Sequence, residues 1–121
     1  MTQVTPNLYV GSYQEASDLT WLKKHRITRI VNMSEEHPNY FPNNFHYYRA
    51  DAYDHPSQSL LRIFQEGYKF IAQGNINGGT IFVHCHAGIS RSTSMVIYYL
   101  MRTYKWPMLS TIAYLKKLHP R

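Results

Sequence analysis

The stretch Thr80-Ile81-Phe82-Val83-His84-Cys85-His86-Ala87-Gly88-Ile89-Ser90-Arg91-Ser92 decides how this chain is read. A β-favouring run, Thr80 to Val83, enters a loop that holds the only cysteine, and a helix-like stretch follows from Arg91. A strand that feeds a helix leaves the first N–H groups of that helix without partners, so they converge on whatever the connecting loop holds. A phosphate-sized dianion fits such a ring. Gly88 admits backbone angles closed to other residues, and Arg91 adds a planar fork of donors suited to two phosphate oxygens. A thiol in that ring, near Arg91 and the positive end of the helix dipole, is expected to ionise well below the free value of about 8.5. It would then be a thiolate at neutral pH.

Each residue also has a plainer reading. A lone cysteine is most often a small structural hydrophobe, but Gly88, Arg91 and the strand-to-helix setting argue against that here. His84 and His86 could be metal ligands. On a strand, however, they face one way and Cys85 the other, and no second cysteine completes a soft site, so a metal is not expected here. Ser90 can cap the helix, whereas Ser92 sits beside the arginine in its first turn.

Outward from the loop, the pattern predicts a three-layer α/β domain. Leu8 to Val10 reads as a first strand, and Gly11-Ser12 opens a helix carrying Ala16, Leu19 and Leu22. Ile27 to Met33 is a second strand, His37 to Asn44 a Pro- and Asn-rich loop, and Phe45 to Ala50 a third strand. Leu60, Leu61, Phe64, Tyr68 and Ile71 form the apolar stripe of a helix, and Gly78-Gly79 turns the chain into the central strand Thr80 to His84. The helix after Arg91 ends by Trp106-Pro107, and Pro107 opens a last helix carrying Leu109, Ile112, Leu115 and Leu118. Alternating helices and strands imply a mostly parallel or mixed sheet of about four to five strands, flanked by helices, with its ligands beyond the carboxyl ends of the strands.

The chain has 121 residues, 44% hydrophobic and 17% charged, which predicts one domain over 1–121 with globular composition. There is no long apolar run for a membrane span or signal peptide, so a soluble, intracellular protein is expected, cytoplasmic with a nuclear location left open. One cysteine cannot form an internal disulfide, which fits a reducing compartment. Thirteen Lys and Arg against seven Asp and Glu give +6, a charge that suits nucleic acid or a phosphoprotein equally. The basic residues are dispersed, with no basic tail. Pairs such as Tyr47-Tyr48 and Tyr98-Tyr99 read as straddling a buried surface and its rim rather than as a base-stacking platform.

His-Cys-x-x-Gly-x-x-Arg-Ser, filled by residues His84 to Ser92, resembles the active-site loop of the cysteine-dependent dual-specificity protein phosphatases. The resemblance extends to Asn7-Leu8-Tyr9-Val10-Gly11-Ser12, Ile30-Val31-Asn32-Met33-Ser34 and Tyr98-Tyr99-Leu100-Met101. It implies a protein tyrosine phosphatase-like fold and hydrolysis of phosphotyrosine and phosphoserine or phosphothreonine through a phosphocysteine, with no metal or organic cofactor required. Cys85 would be the nucleophile, Arg91 and the backbone of His86, Ala87, Gly88, Ile89 and Ser90 the phosphate cradle, Ser92 a donor to the departing thiolate, and His84 the group that orients the loop. A phosphoester also needs its leaving oxygen protonated. Asp54-His55-Pro56-Ser57-Gln58-Ser59-Leu60 resembles the family's acid loop, which favours Asp54, and Asp51 stands closer to the strand end as the other candidate.

The same resemblance narrows the substrate. Lipid-directed relatives place lysines between the cysteine and the arginine, where this chain has His86 to Ser90. RNA 5′-triphosphatase relatives follow the arginine with Thr-Gly, where this chain has Ser92-Thr93. A phosphorylated protein is thus the expected substrate, with RNA triphosphatase activity and a non-catalytic phosphoprotein-binding module as the alternatives. Family members usually continue beyond Leu118-His119-Pro120-Arg121 through a Pro-Asn turn into another helix. A homodimer covering the apolar surface left without that helix is an open expectation.

Overall fold

In the computed structural model, which describes residues 1–50, 56–86 and 91–118, five strands form a mixed sheet flanked by helices. The elements are β1 (Thr2–Thr5), β2 (Leu8–Gly11), α1 (Tyr13–Ala16), α2 (Leu19–Lys24), β3 (Ile27–Asn32), β4 (His46–Arg49), α3 (Pro56–Ile76), β5 (Thr80–His84), α4 (Arg91–Tyr104) and α5 (Met108–Leu118). The strands lie in the order β1-β2-β5-β3-β4. Among the described strands only the β1–β2 pair is antiparallel; β2, β5, β3 and β4 run parallel, with α1 and α2 crossing from β2 to β3, α3 crossing from β4 to β5, and a long loop joining β3 to β4.

Strict alternation along the central strands makes the three layers. Leu8, Val10, Val31, Ile81 and Val83 face α3, α4 and α5, where Ile63, Ile71, Met95, Val96, Leu100 and Leu115 complete the larger core. Tyr9, Ile30 and Phe82 point the opposite way, onto Ala16 and Leu22 of α1 and α2. Because side-chain direction has period two, one run of apolar residues serves both cores. The tyrosine pair Tyr47-Tyr48 divides in the same way, Tyr47 packing on the smaller core and Tyr48 on the larger. Among the described residues, no helix is long and apolar enough to cross a membrane.

The structure corrects the sequence reading in several places. A strand, β1, precedes the expected first one and pairs Thr2 with Val10 and Gln3 with Tyr9. The helix expected from Ser12 through Leu22 is two helices. Ser12 caps α1 in a capping box with Glu15, and Asp18 accepts from the Trp21 N–H at 3.0 Å to start α2. Leu60 and Leu61, placed in the stripe of α3, are 54% and 61% exposed. Phe64, Tyr68 and Ile71 of the expected stripe do pack on the larger core, and the inward line of α3 also takes in Ile63, Gly67 and Gly74. A Cβ on Gly67 would stand 2.5 Å from Met95 Sδ, so a larger residue there would push the Met95 side chain aside. Leu109 is 82% exposed, since α5 buries Thr111 and Leu115 and turns its first-turn leucine outward. Gly78, with φ of +79°, ends the turn out of α3 and sets β5 on course.

Candidate active site

Strands β2, β3 and β5 end in register, with Gly11 and Asn32 both paired with His84, so the loops that follow them share one edge of the sheet. Cys85 leaves the end of β5 directly below that edge. It is 2% exposed, and its Sγ lies 3.3 Å from the Oγ of Ser92, a wholly buried residue in the first turn of α4. If the sulfur carries charge, the hydroxyl must be the donor, so the contact stabilises a thiolate. The end of β5 and the first turn of α4 therefore bring thiol and hydroxyl together.

His84 sits beneath the cysteine, 1% exposed. Its Nδ1 is 3.3 Å from the carbonyl of Cys85, and since a carbonyl only accepts, Nδ1 carries the proton. The Nε2 atom is buried and unpaired among the described residues. Burial pulls the imidazole down to about 4, more than the Cys85 carbonyl raises it, so the ring is neutral at ordinary pH.

Arg91, the first residue of α4, extends its guanidinium to Glu36, with Nη1 to Oε1 and Nη2 to Oε2 both 2.9 Å. The paired fork holds the Glu36 carboxyl down to about 2, chiefly through these hydrogen bonds. Glu36 belongs to the segment after β3, and no functional role was expected for it. That segment is tied down from within. Asn32, fully buried, accepts from the Ser34 N–H at 2.9 Å and the Ser34 hydroxyl at 2.7 Å, and donates to the His37 carbonyl at 2.9 Å and to Asn39 Oδ1 at 3.1 Å.

His86, the residue after the cysteine, meets the same segment. Its Nδ1 lies 2.7 Å from Nε2 of His37, and the two rings are 9° from parallel with centroids 5.0 Å apart, an edge-to-edge imidazole pair. Tyr13 of α1 lies flat across both, 4.5 Å from His37 and 5.0 Å from His86. The α1 backbone joins in, as the Tyr13 N–H donates to the His86 carbonyl at 3.2 Å. Burial and the neighbouring His86 lower the pKa of His37, which favours the neutral ring that can accept in such a pair.

The structure thus brings Cys85, Ser92, Arg91, His84 and His86 to one edge. Ala87, Gly88, Ile89, Ser90, Asp51 and Asp54 lie outside the described residues. Glu36, His37, Asn32, Ser34 and Tyr13 went unread, although one signal was present: Ser34-Glu35-Glu36-His37 follows the carboxyl end of a parallel strand, where ligands of such sheets gather. No group of three or more His, Cys, Asp or Glu among the described residues is arranged to hold a metal ion.

Comparison with known proteins gives the family and the fold. The family described as dual specificity phosphatase, catalytic domain, matches residues 8–121. Protein phosphatase Slingshot homolog 3 of Mus musculus is 35% identical over 119 residues, which cover 98% of this chain and 18% of that protein. The Homo sapiens protein phosphatase Slingshot homolog 1 is 37% identical over 111 residues, 92% of this chain and 11% of that protein. The chain therefore spans less than a fifth of the length of these curated relatives. Among solved structures, DUSP15 superposes with a TM-score of 0.88 at 34% identity, over 99% of this chain and 76% of that one. The human tyrosine phosphatase-like serine/threonine/tyrosine-interacting protein does so at 0.87 and 33%, over 98% and 83%. By sequence and by fold, the chain belongs to the cysteine-dependent dual-specificity protein phosphatases, matching their catalytic domain.

Proposed function

We propose that this chain hydrolyses phosphotyrosine and phosphoserine or phosphothreonine esters on proteins through a phosphocysteine intermediate. The observation that carries the reading is the buried Cys85 Sγ at 3.3 Å from Ser92 Oγ, at the foot of the helix that begins with Arg91. In the first step Sγ attacks phosphorus, the P–O ester bond breaks, and an aspartic acid gives its proton to the leaving oxygen. Asp54 is the preferred acid, with Asp51 as the alternative. In the second step the deprotonated aspartate takes a proton from water, water oxygen bonds to phosphorus, and the S–P bond breaks. Ser92 donates to the thiolate as it departs. Arg91 holds two phosphoryl oxygens throughout, which is the electrostatic share of the rate.

Neutral His84 supports the loop without competing for the phosphate charge. A protein substrate agrees with the names of the Slingshot relatives, each called a protein phosphatase. The domain acts as one unit, and its expected place is the cell interior. The test is hydrolysis of p-nitrophenyl phosphate and of a phosphopeptide by wild type and by Cys85→Ser, with acid quenching to capture phosphate on Cys85. Wild-type turnover that disappears in the variant is expected. Equal, negligible rates in both would leave the binding-module reading in its place, and release of phosphate from triphosphorylated RNA alone would favour the RNA enzyme.

A further inference from the structure

Arg91 is the residue a phosphate must reach, and a carboxylate already lies across it. The Glu36 oxygens take both outer nitrogens of the guanidinium at 2.9 Å, the two-pronged pairing that two phosphoryl oxygens would make. An isolated pair of this kind on a surface is worth little, because two long side chains must be ordered to form it. Here much of that ordering is built in. Asn32 and Ser34 fix the backbone on one side of Glu36, and the imidazole pair of His37 with His86 fixes it on the other. The Arg49 guanidinium also donates to the Glu35 carbonyl at 3.0 Å.

We propose that Glu36 is a built-in competitor for the Nη1/Nη2 fork of Arg91, so that an oxyanion that uses this fork must first displace its carboxylate. The proposal rests on the reading of Arg91 as the phosphate-holding residue. Competition has a signature that other roles lack: one common factor applied to every ligand that uses Arg91, whether substrate, product or inhibitor. If Glu36 instead held Arg91 in its productive pose, its removal would weaken all of them.

The experiment measures binding of inorganic phosphate by calorimetry in the Cys85→Ser protein, with and without Glu36→Gln or Glu36→Ala. It is paired with the KM for p-nitrophenyl phosphate and the Ki for phosphate in the protein that retains Cys85. Glu36 is exposed enough for either change to leave the fold intact, and thermal melting checks that it does. Expected is a three- to tenfold tightening, about the same for Kd, KM and Ki and in the same direction for both variants. Unchanged or weaker phosphate binding in the variants, with binding clear in the parent, overturns the proposal alone. Failure of parent and variants alike to bind phosphate, together with an inactive wild type, overturns both the proposal and the phosphatase reading beneath it.

Discussion

Two loops meet at the carboxyl edge of the sheet, and they were built by different means. The loop after β5 carries its chemistry in residue types at fixed spacing, with Cys85 six positions before Arg91. The segment after β3 carries no reactive group, and its position depends on side chains drawn from elsewhere in the chain: buried Asn32 beneath it, His86 beside it and Tyr13 above. Here the proposed nucleophile and the arginine proposed to hold phosphate lie on one short stretch, so the chemistry they carry shows in the sequence. Control of access constrains it far less, since any carboxylate that can reach the arginine serves. The first loop can therefore be read from residues alone, and the second needs the fold.

The largest effect tests whether the legible loop is chemically complete. The loop from Cys85 to Ser92 holds no carboxylic acid, so the acid proposed for the leaving alkoxide comes from the chain beyond β4. Asp54→Asn should lower kcat on phosphothreonine peptide by about 10²- to 10⁴-fold, with a smaller loss on an aryl phosphate whose leaving group needs less help. Asp51→Asn should change either rate little. Steady-state kinetics on the two substrates checks this, and a reversed ranking would give the acid role to Asp51.

Much of the fold was legible because the central strands are apolar on both faces, which marks a buried parallel sheet. The unread parts have physical causes. β1 offers only one aliphatic residue, Val4, among Thr2-Gln3-Val4-Thr5, and it is held as an edge by pairing rather than by apolar content. The inward face of α3 includes Gly67 and Gly74, which a search for large apolar residues passes over in favour of Leu60 and Leu61. In the site, Cys85, Ser92 and Arg91 stood out by type and spacing. Glu36 did not, because its partner lies 55 positions away in sequence.

A middle-sized effect falls where the two loops join. The His84 carbonyl accepts from the Met33 N–H at 2.8 Å, so His84 supports the segment after β3 as well as Cys85. Its folded pKa is about 4, depressed below the 6.5 of a free histidine. Protons therefore favour the unfolded chain. The stability that depends on a neutral His84 is fully present above about pH 6.5 and is lost as pH falls through about 4, on the order of 3 kcal/mol in all. Urea midpoints from pH 7.5 to 4 check it by difference. The wild-type curve should fall more steeply than that of His84→Asn, and parallel curves would show that burial of this ring is not what limits acid stability.

The smallest effect asks whether the segment after β3 is a device or only a neighbour. His37 holds Glu36 in place through its pairing with His86, so His37→Ala should loosen the carboxylate and lower the Ki for inorganic phosphate about two- to threefold. That change alone is ambiguous, because His37 also stands at the mouth of the site. A double-mutant cycle resolves it. Once Glu36→Gln has removed the charge, His37 has no competitor left to position, and adding His37→Ala should leave the Ki where Glu36→Gln had set it. Phosphate inhibition measured on all four proteins gives the coupling directly. Strictly additive effects would make His37 a lining residue of the pocket and leave Glu36 to act without its anchor; full non-additivity would tie the imidazole pair and the carboxylate into one gate, built from the part of the molecule that the sequence left unmarked.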